Sequence, residues 1–240
     1  MVKISERLRT AAGLIGEGER LADVGTDHGY VPIYLVERKR IPSAIAMDIR
    51  TGPLERAREH IRMYGMEDYI QTRLSDGVAA LKPGEADAIL IAGMGGGLVI
   101  HILESGRAIC EQAHGLVLQP QSELPKVRRF LMENGYVTER EEMVMEDGKY
   151  YPMMRVHFDA SAVSHADSFT EEQELEFRYG KQLLTEKHPV LLAYLRWEAQ
   201  IQQDILTQLS GQPATEQIAA RIDDVKQILA QNARALAYYE

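Results

Sequence analysis

A short acidic turn, LADVGTDHGYVP (residues 21–32), has the residue types of a ligand-binding site. It joins an apolar stretch to a segment with helical character, and it carries Asp23, Gly25, Asp27 and His28. A strand that ends in a glycine-containing turn before a helix directs backbone N–H groups and the positive end of the helix towards a ligand. Carboxylates in such a turn favour a cationic ligand. An ordinary strand-to-helix turn without a ligand is the alternative.

The turn lacks the full set of glycines of a dinucleotide-binding motif. That motif reads G-x-G-x-x-G, whereas Asp27 and Tyr30 occupy the positions of its second and third glycines after Gly25. The carboxylate of Asp27 would also repel a pyrophosphate. S-adenosylmethionine has no phosphate, and its sulfonium and ammonium groups are cations that carboxylates attract. The turn therefore favours S-adenosylmethionine over NAD.

Two further acidic residues follow the next predicted strands. Asp48 lies 23 residues after Gly25, the distance at which an acidic side chain accepts both ribose hydroxyls of a bound nucleoside. Asp76 and Gly77 follow the third strand, where methyltransferases often place a carboxylate that binds the adenine amino group of the cofactor. A simple Asp-Gly turn is the alternative interpretation of this pair.

A glycine-rich segment, IAGMGGG (residues 91–97), follows the fourth predicted strand. Enzymes that methylate exocyclic amino groups usually present an (Asp/Asn)-Pro-Pro-aromatic sequence here, and its absence argues against that reaction. Consecutive glycines allow the backbone to approach a flat substrate closely. After the fifth strand, Gln119 and Gln121 are expected at the same edge of the sheet.

Short apolar strands alternate with helical segments and position these motifs. The predicted strands cover residues 20–24, 44–49, 70–74, 88–92 and 116–118, the predicted helices cover residues 31–39, 53–64, 98–103 and 124–133, and a break covers residues 76–83. Pro53 is expected at the first position of its helix. Repeated strand–helix units predict a parallel, doubly wound sheet with right-handed crossovers.

The end of this half departs from the alternation. Residues 136–158 form two extended runs around Asp147-Gly148, which predicts a β-hairpin. A terminal antiparallel hairpin on a mostly parallel sheet distinguishes Rossmann-like methyltransferases from NAD-binding dehydrogenase domains. We therefore expect an α/β fold with a class I methyltransferase domain over residues 1–160, whose mostly parallel seven-stranded sheet ends in this hairpin.

The remainder of the chain is predicted to be helical. Residues 159–168 are small and polar, as in a linker, and Thr170 and Gln173 have capping-box spacing. Two apolar stripes follow with a reversal at residues 210–213; they comprise Leu191, Leu195, Ile201, Ile205 and Leu209, and then Ile218, Ile222, Val225, Leu229 and Leu236. This pattern predicts an antiparallel coiled-coil domain over residues 161–240, whose role as an RNA clamp, a dimerisation arm or plain support stays open.

Composition excludes several classes of protein. No apolar run reaches the ~18 residues of a membrane span, and residues 1–20 lack the apolar segment of a secretion signal. We therefore expect a cytoplasmic protein with no membrane partner. The lone Cys110 excludes a disulfide framework, and His101 and His114 lack metal-ligand spacing, so no metal is expected.

The net charge of −9 argues weakly against a nucleic-acid partner. Basic residues nevertheless slightly outnumber acidic ones in residues 1–62, and three of the acids there belong to the predicted pocket. We therefore expect a locally basic face near the first three helices, although a solvated surface of scattered arginines is an equal alternative. The oligomeric state is not determined by the sequence, which slightly favours a monomer.

Taken together, the motifs resemble those of the bacterial tRNA adenine-22 N1-methyltransferase family (TrmK). The similar segments are ISERL, LADVGTDHGYVPIYL, AMDIRTGPLERA, SDG, IAGMGG and LQPQ, in this order along the chain. The family also carries a helical coiled-coil C-terminal domain. The resemblance implies S-adenosylmethionine as cofactor, tRNA as partner, and methyl transfer to N1 of adenine 22 in the D-arm region. A methyltransferase acting on another RNA or a small molecule, or a non-catalytic cofactor-binding RNA-interaction module, is the alternative.

N1 of adenine carries an in-plane lone pair, so alignment and desolvation rather than a strong base would carry the reaction. The base must also be exposed or flipped out of its stack. We expect Tyr30 to stack on the adenine or to cover the cofactor. Asp27 is expected to accept a hydrogen bond from the adenine N6 amino group or to bind the cofactor's ammonium group. Arg7 is expected to reach the pocket or a phosphate, with a surface ion pair as the alternative.

Cofactor binding is assigned to the four motifs. His28 is expected to pack against the cofactor or to cap the turn rather than to act as a general base. The predicted cofactor-binding residues are Asp23, Gly25, Thr26, Asp27, His28, Gly29, Asp48, Ile49, Asp76, Gly77, Ala92, Gly93 and Met94.

Overall fold

The chain folds into two compact units. The computed structural model describes residues 2–164, 168–213 and 215–240. The units are Met1–Ser168 and Phe169–Glu240, and each contains buried apolar side chains of its own. The predicted linker at 159–168 starts with a short 3-10 helix, Ala160–Ala162, and its residues 165–167 lie outside the described residues.

A single mixed sheet forms the centre of the first unit. Within the described residues its strands are β1 (Leu21–Val24), β2 (Ala44–Asp48), β3 (Ile70–Leu74), β4 (Ala88–Met94), β5 (Gly115–Pro120), β6 (Tyr136–Glu146) and β7 (Lys149–Phe158). They are ordered β3-β2-β1-β4-β5-β7-β6. The first five strands run parallel, while β7 is antiparallel to both β5 and β6. This arrangement confirms the predicted Rossmann-like methyltransferase fold.

The turn of the β6–β7 hairpin lies at Asp147-Gly148, as predicted. Asp147 and Gly148 have φ values of 50° and 73°. Positive φ at both central residues is the geometry of a two-residue turn that matches the twist of the strands. The turn therefore fixes the β6–β7 register, in which Glu146 pairs with Lys149.

Helices flank the sheet on both faces. In the first unit they are α1 (Glu6–Gly13), α2 (Tyr30–Glu37), α3 (Thr51–Met63), α4 (Gly96–Ser105), α5 (Arg107–Cys110) and α6 (Leu124–Glu133). The prediction that α3 begins at Pro53 was wrong, because the helix starts at Thr51 and Pro53 is its third residue. A proline is tolerated there because N–H groups of the first turn have no acceptor within the helix.

Two apolar clusters cover the two faces of the sheet. Ala46 and Leu90 belong to one cluster, and their neighbours Met47 and Ile91 belong to the other. This alternation follows from the two-residue period of a strand. Since both faces are buried, the carboxyl edge of the parallel strands is where polar residues are brought together.

The second unit is helical, as predicted. Its helices are α7 (Glu171–Tyr179), α8 (Lys181–Thr185), α9 (Pro189–Ser210) and α10 (Glu216–Ala237). The predicted capping box of Thr170 and Gln173 is present at the start of α7. Asn232, near the end of α10, donates to the carbonyl oxygen of Leu195 near the start of α9, as in an antiparallel pair. No helix in the described part of the chain is long and apolar enough to cross a membrane.

The predicted apolar stripe of α9 is only partly buried. Leu191 and Leu195 are buried, whereas Ile201 is 37% exposed. The stripe is therefore covered at the start of α9 and exposed at Ile201. Helical spacing places residues on one face but does not tell how far along the helix that face stays covered.

A buried polar network holds α7, α9 and α10 together. The carboxylate of Glu198 accepts hydrogen bonds from Arg178 at 2.9 Å, the Tyr179 hydroxyl at 2.7 Å and Asn232 at 2.9 Å. The Tyr194 hydroxyl donates to the same carboxylate at 3.1 Å. These donors hold the pKa of Glu198 below its usual range despite its burial, so Glu198 is a fixed anion in the interior of this unit.

Candidate cofactor and active site

The turn after β1 is built around Gly25. Its N–H and that of Thr26 donate to the carbonyl oxygen of Met47 at 2.8 and 2.9 Å, which joins the turn to β2 beyond the end of β1. Gly25 has a φ of 73°, and a Cβ atom there would lie 2.3 Å from Cε of Met94. The turn therefore favours glycine chiefly for its left-handed backbone conformation, and a Cβ atom there would also displace the flexible end of the Met94 side chain.

Asp23, at the end of β1, is a buried carboxylate. It is 5% exposed, and its Oδ2 accepts a hydrogen bond from the Thr26 hydroxyl at 2.6 Å. Burial, together with the negative charge of Asp48 and against the bond from Thr26, raises the pKa of Asp23 to about 6. A carboxylate that is desolvated in this way gains from a cationic ligand placed against it.

Asp48 ends the neighbouring strand β2 and is also buried. Its Oδ1 accepts the backbone N–H of Arg50 at 2.9 Å, which fixes the orientation of the carboxylate at the strand end. Because β1 and β2 are paired in parallel, the side chains of Asp23 and Asp48 lie at the same edge of the sheet. The carboxyl edge of the sheet therefore carries two buried acidic side chains.

Asp27 is held by a residue that the sequence reading missed. Its Oδ1 accepts a hydrogen bond from Nη2 of Arg56 in α3 at 2.6 Å, and its Oδ2 lies 3.4 Å from Nε2 of His28. Asp27 has a φ of 50°, a left-handed conformation that Asp tolerates better than most residues. The Asp27 carboxylate is therefore a hydrogen-bond acceptor that the Arg56 guanidinium holds in place, with the His28 ring beside it.

Three aromatic rings stack beside this turn. The centroid of the Tyr30 ring lies 5.3 Å from that of His28 and 4.8 Å from that of His60, with interplanar angles of 15° and 14°. The Nδ1 atom of His60 lies 3.0 Å from the carbonyl oxygen of His28. His60 was not predicted, because a histidine in the amphipathic helix α3 gives no sign of its partner 32 residues earlier.

Arg7 reaches across the site from α1. Its Nη1 donates to Oε1 of Gln119 at 2.9 Å, and Gln119 is fully buried at the end of β5. The backbone N–H of Arg7 donates to Glu146 at 3.3 Å, and its guanidinium carbon lies 5.4 Å from the centroid of the Tyr151 ring. The arginine is thus fixed by strands β5, β6 and β7.

The glycine-rich segment after β4 packs against the start of α6. A Cβ atom at Gly96 would lie 2.5 Å from the carbonyl oxygen of Ser122. The N–H of Gly96 donates to the Ser122 hydroxyl at 3.3 Å, and that of Gly97 donates to the Glu123 carboxylate at 2.9 Å. Close approach of two backbones therefore accounts for at least one of these glycines.

A cavity of about 270 Å³ opens between these elements. Nine predicted site residues line it, together with Leu8, Val31, Leu90 and Gln121; the nine are Arg7, Asp23, Gly25, Thr26, Asp27, His28, Tyr30, Ala92 and Gly93. The other predicted residues lie outside this lining; they are Gly29, Asp48, Ile49, Asp76, Gly77 and Met94. Of these, Asp76 is exposed in the loop after β3, and Ile49 is 59% exposed.

The residues of this site fit S-adenosylmethionine. Buried carboxylates at the ends of β1 and β2 suit a cation and hydroxyl groups. Gly93, with a φ of 79°, leaves backbone without a side chain at the cavity wall. Among the described residues, no cluster of three or more His, Cys, Asp or Glu side chains is arranged to hold a metal ion.

Sheet order and site define a Rossmann-like methyltransferase, and the chain belongs to the methyltransferase domain family, whose pattern matches residues 4–154. Within that class it belongs to the family of tRNA (adenine(22)-N(1))-methyltransferases. The Bacillus subtilis (strain 168) protein of that name is 35% identical over 236 residues, covering 95% of this chain and 98% of the relative. The predicted family is thereby confirmed.

Solved structures resemble the whole chain. The crystal structure of the B. subtilis M1A22 tRNA methyltransferase TrmK has a TM-score of 0.82 and 32% identity, covering 98% of this chain and 99% of that one. The Streptococcus pneumoniae protein Sp1610, in complex with S-adenosyl-L-methionine, has a TM-score of 0.78 and 32% identity, covering 95% of this chain and 100% of that one. The similarity therefore extends beyond the methyltransferase domain into the helical unit.

Proposed function

We propose that this protein is an S-adenosylmethionine-dependent methyltransferase that modifies N1 of adenine 22 in tRNA. The observation that carries this proposal is the 35% identity, over 95% of the chain, to a tRNA (adenine(22)-N(1))-methyltransferase. The acidic cavity at the carboxyl edge of the sheet supports it, because the buried carboxylate of Asp23 and the exposed carboxylate of Asp27 suit the cationic cofactor.

The cofactor would be held at the ends of β1, β2 and β4. Asp48 would accept hydrogen bonds from the ribose hydroxyls, and Asp23 would attract the positively charged amino-acid end. Thr26 keeps the Asp23 carboxylate in one orientation through its 2.6 Å hydrogen bond. We also assign Ile49, Asp76 and the remaining predicted cofactor-binding residues to this edge as part of the proposal.

The reaction requires orientation of the adenine rather than removal of a proton from it. S-adenosylmethionine supplies the methyl group in an activated, sulfonium-bound form. Asp27, fixed by Arg56 at 2.6 Å, would accept a hydrogen bond from the adenine N6 amino group and so direct N1 into the cavity. Tyr30 would stack on the base, and its ring is already held in a fixed orientation by its stacking with His28 and His60. Water exclusion and alignment would then carry most of the rate enhancement.

RNA contact is supported by arginines at and near the start of α3. The side chain of Arg50, in the β2–α3 loop, is 79% exposed, and that of Arg56, which is bound to the cavity residue Asp27, is 47% exposed. These cations could contact phosphates even though the protein as a whole is acidic.

Since the relatives are bacterial proteins that act on tRNA, we also infer a cytoplasmic location. A monomer with a catalytic domain at 1–160 and a helical coiled-coil domain at 161–240 completes the proposal.

The test uses purified protein, labelled S-adenosylmethionine and two unmodified tRNA transcripts that differ only in adenine or guanine at position 22. We expect methyl incorporation into the adenine transcript and background incorporation into the guanine transcript. Equal incorporation into both would indicate another target base. Incorporation into neither, with intact cofactor binding, would favour another substrate or a non-catalytic cofactor-binding module.

A further inference from the structure

The cavity carries charges of both signs in a defined arrangement. Asp23 and Asp27 line it together with Arg7, whose guanidinium is held at the cavity by Gln119. A Cβ atom placed on Gly93 would lie 3.9 Å from Nη1 of Arg7, so the guanidinium stands beside the bare backbone at the end of β4. A site with an acidic and a basic side in one cavity suits a zwitterionic ligand.

Arg7 is fixed before any ligand binds. Oε1 of Gln119 is the hydrogen-bond acceptor that the guanidinium reaches within the described residues, and an arginine side chain carries five N–H donors. Glu146 and Tyr151 hold the backbone and the guanidinium of the same residue from the β6–β7 hairpin. A cation with free donors and few remaining rotamers binds a planar anion at low entropic cost.

We propose that Arg7 binds the α-carboxylate of the amino-acid part of the cofactor, and that Gln119 is the residue that positions it. This inference rests on the proposed function, since it assumes S-adenosylmethionine as the ligand. Arg7 is then a cofactor-binding residue rather than a contact to the adenine or to an RNA phosphate. Its place in the cavity beside Asp23 supports this assignment, because the amino-acid end of the cofactor brings an ammonium group that offsets the repulsion from that buried carboxylate, whereas a phosphate brings negative charge alone.

Calorimetric binding of two ligands tests the inference without any turnover. One ligand is S-adenosylhomocysteine, and the other is its decarboxylated analogue, which keeps the ammonium group and lacks the carboxylate. We expect the wild-type protein to bind S-adenosylhomocysteine at least about tenfold more tightly, the value of one charge-assisted hydrogen bond. Equal affinity of the wild-type protein for the two ligands would overturn the inference while leaving the proposed cofactor in place. Binding of neither ligand would contradict the proposed function itself.

Substitutions of Arg7 and Gln119 test which residue recognises the carboxylate. Arg7→Gln should lose about tenfold or more in affinity for S-adenosylhomocysteine and bind the decarboxylated analogue as the wild type does. Arg9→Gln is the matched control, because it removes the same charge from the same helix at a side chain paired with Glu6 outside the cavity. Gln119→Met should lose less affinity than Arg7→Gln, and it should lose it for S-adenosylhomocysteine rather than for the decarboxylated analogue.

Two results would refute the assignment of Arg7. An equal loss for both ligands in a folded Arg7→Gln protein would show that the residue does not recognise the carboxylate. Unchanged cofactor affinity with weakened tRNA binding would assign Arg7 to a phosphate instead. Should Arg7→Gln fail to fold, Gln119→Met, which removes the acceptor that holds Arg7, is compared on the same two ligands, and an unchanged preference for S-adenosylhomocysteine in this variant would contradict the inference.

Discussion

Asp23→Asn should make the ligand-free protein more stable at neutral pH while impairing its binding of cofactor. The carboxylate of Asp23 is 5% exposed, and burial raises its pKa to about 6 from an ordinary value of 3.8. At about 1.4 kcal/mol per pKa unit, this difference corresponds to about 3 kcal/mol by which the ionised form disfavours folding. Asparagine keeps an oxygen for the Thr26 hydroxyl and has no charge to desolvate.

The sign of the pH dependence follows from the raised pKa. Below the ordinary value of 3.8, Asp23 is protonated in the folded and unfolded states, so wild type and variant should have similar stability. Between about pH 4 and pH 6 the carboxyl group ionises in the unfolded state alone; above about pH 6 it is ionised in both states, and the full cost of up to about 3 kcal/mol falls on the wild type. The stability advantage of Asp23→Asn should therefore appear between about pH 4 and pH 6 and level off above.

The assay is urea unfolding of the ligand-free protein, followed by circular dichroism, across this pH range. Asp68→Asn is the control, because Asp68 is an exposed carboxylate and surface substitutions usually change stability by less than about 0.5 kcal/mol. Calorimetry with S-adenosylhomocysteine should show weaker binding by Asp23→Asn. A variant that is less stable than wild type at neutral pH, with a parallel pH profile, would refute this reasoning.

Three further substitutions test other parts of the structure. Gly25→Ala should cost about 1–3 kcal/mol of stability, measured by thermal unfolding, and weaken cofactor binding, because alanine strains the left-handed backbone and displaces the end of the Met94 side chain; an unchanged melting temperature would contradict the role given to the turn. Asp48→Asn should weaken binding of S-adenosylhomocysteine and of free adenosine by a similar factor, and a selective effect on either ligand would remove the ribose assignment. Glu198→Ala should destabilise the helical unit by about 3 kcal/mol because it removes the buried carboxylate that four side chains share as a hydrogen-bond acceptor. Unfolding is followed by the fluorescence of Trp197, the chain's single tryptophan; an unchanged transition would refute the network's role.

Much of the fold and the outline of the site could be predicted because strands and turns are local features. The strand ends of β1 and β2 follow from short apolar runs, so Asp23 and Asp48 were expected at one edge of a sheet. Asp147-Gly148 likewise specified its hairpin through the backbone conformation these residues favour. These predictions succeeded because the neighbours of each residue in sequence determine its conformation there.

Pairings between distant residues could not be predicted in the same way. Arg56 is one of several arginines on α3, and nothing in its spacing singles it out as the partner of Asp27. The bond between Arg7 and Gln119 spans 112 positions in sequence and depends on how α1 packs against the sheet. The exposure of Ile201 within the apolar stripe of α9 could not be predicted either, since coverage of a helix depends on what packs against it.

Mass-spectrometric mapping of a tRNA transcript after reaction with the wild-type protein tests the central claim most directly. The transcript is incubated with S-adenosylmethionine, cut into defined fragments, and its nucleosides are identified by comparison with an N1-methyladenosine standard. The account predicts one added methyl group, located on N1 of adenine 22. A methyl group on any other base or atom, or an unmodified transcript in the presence of bound cofactor, would contradict it.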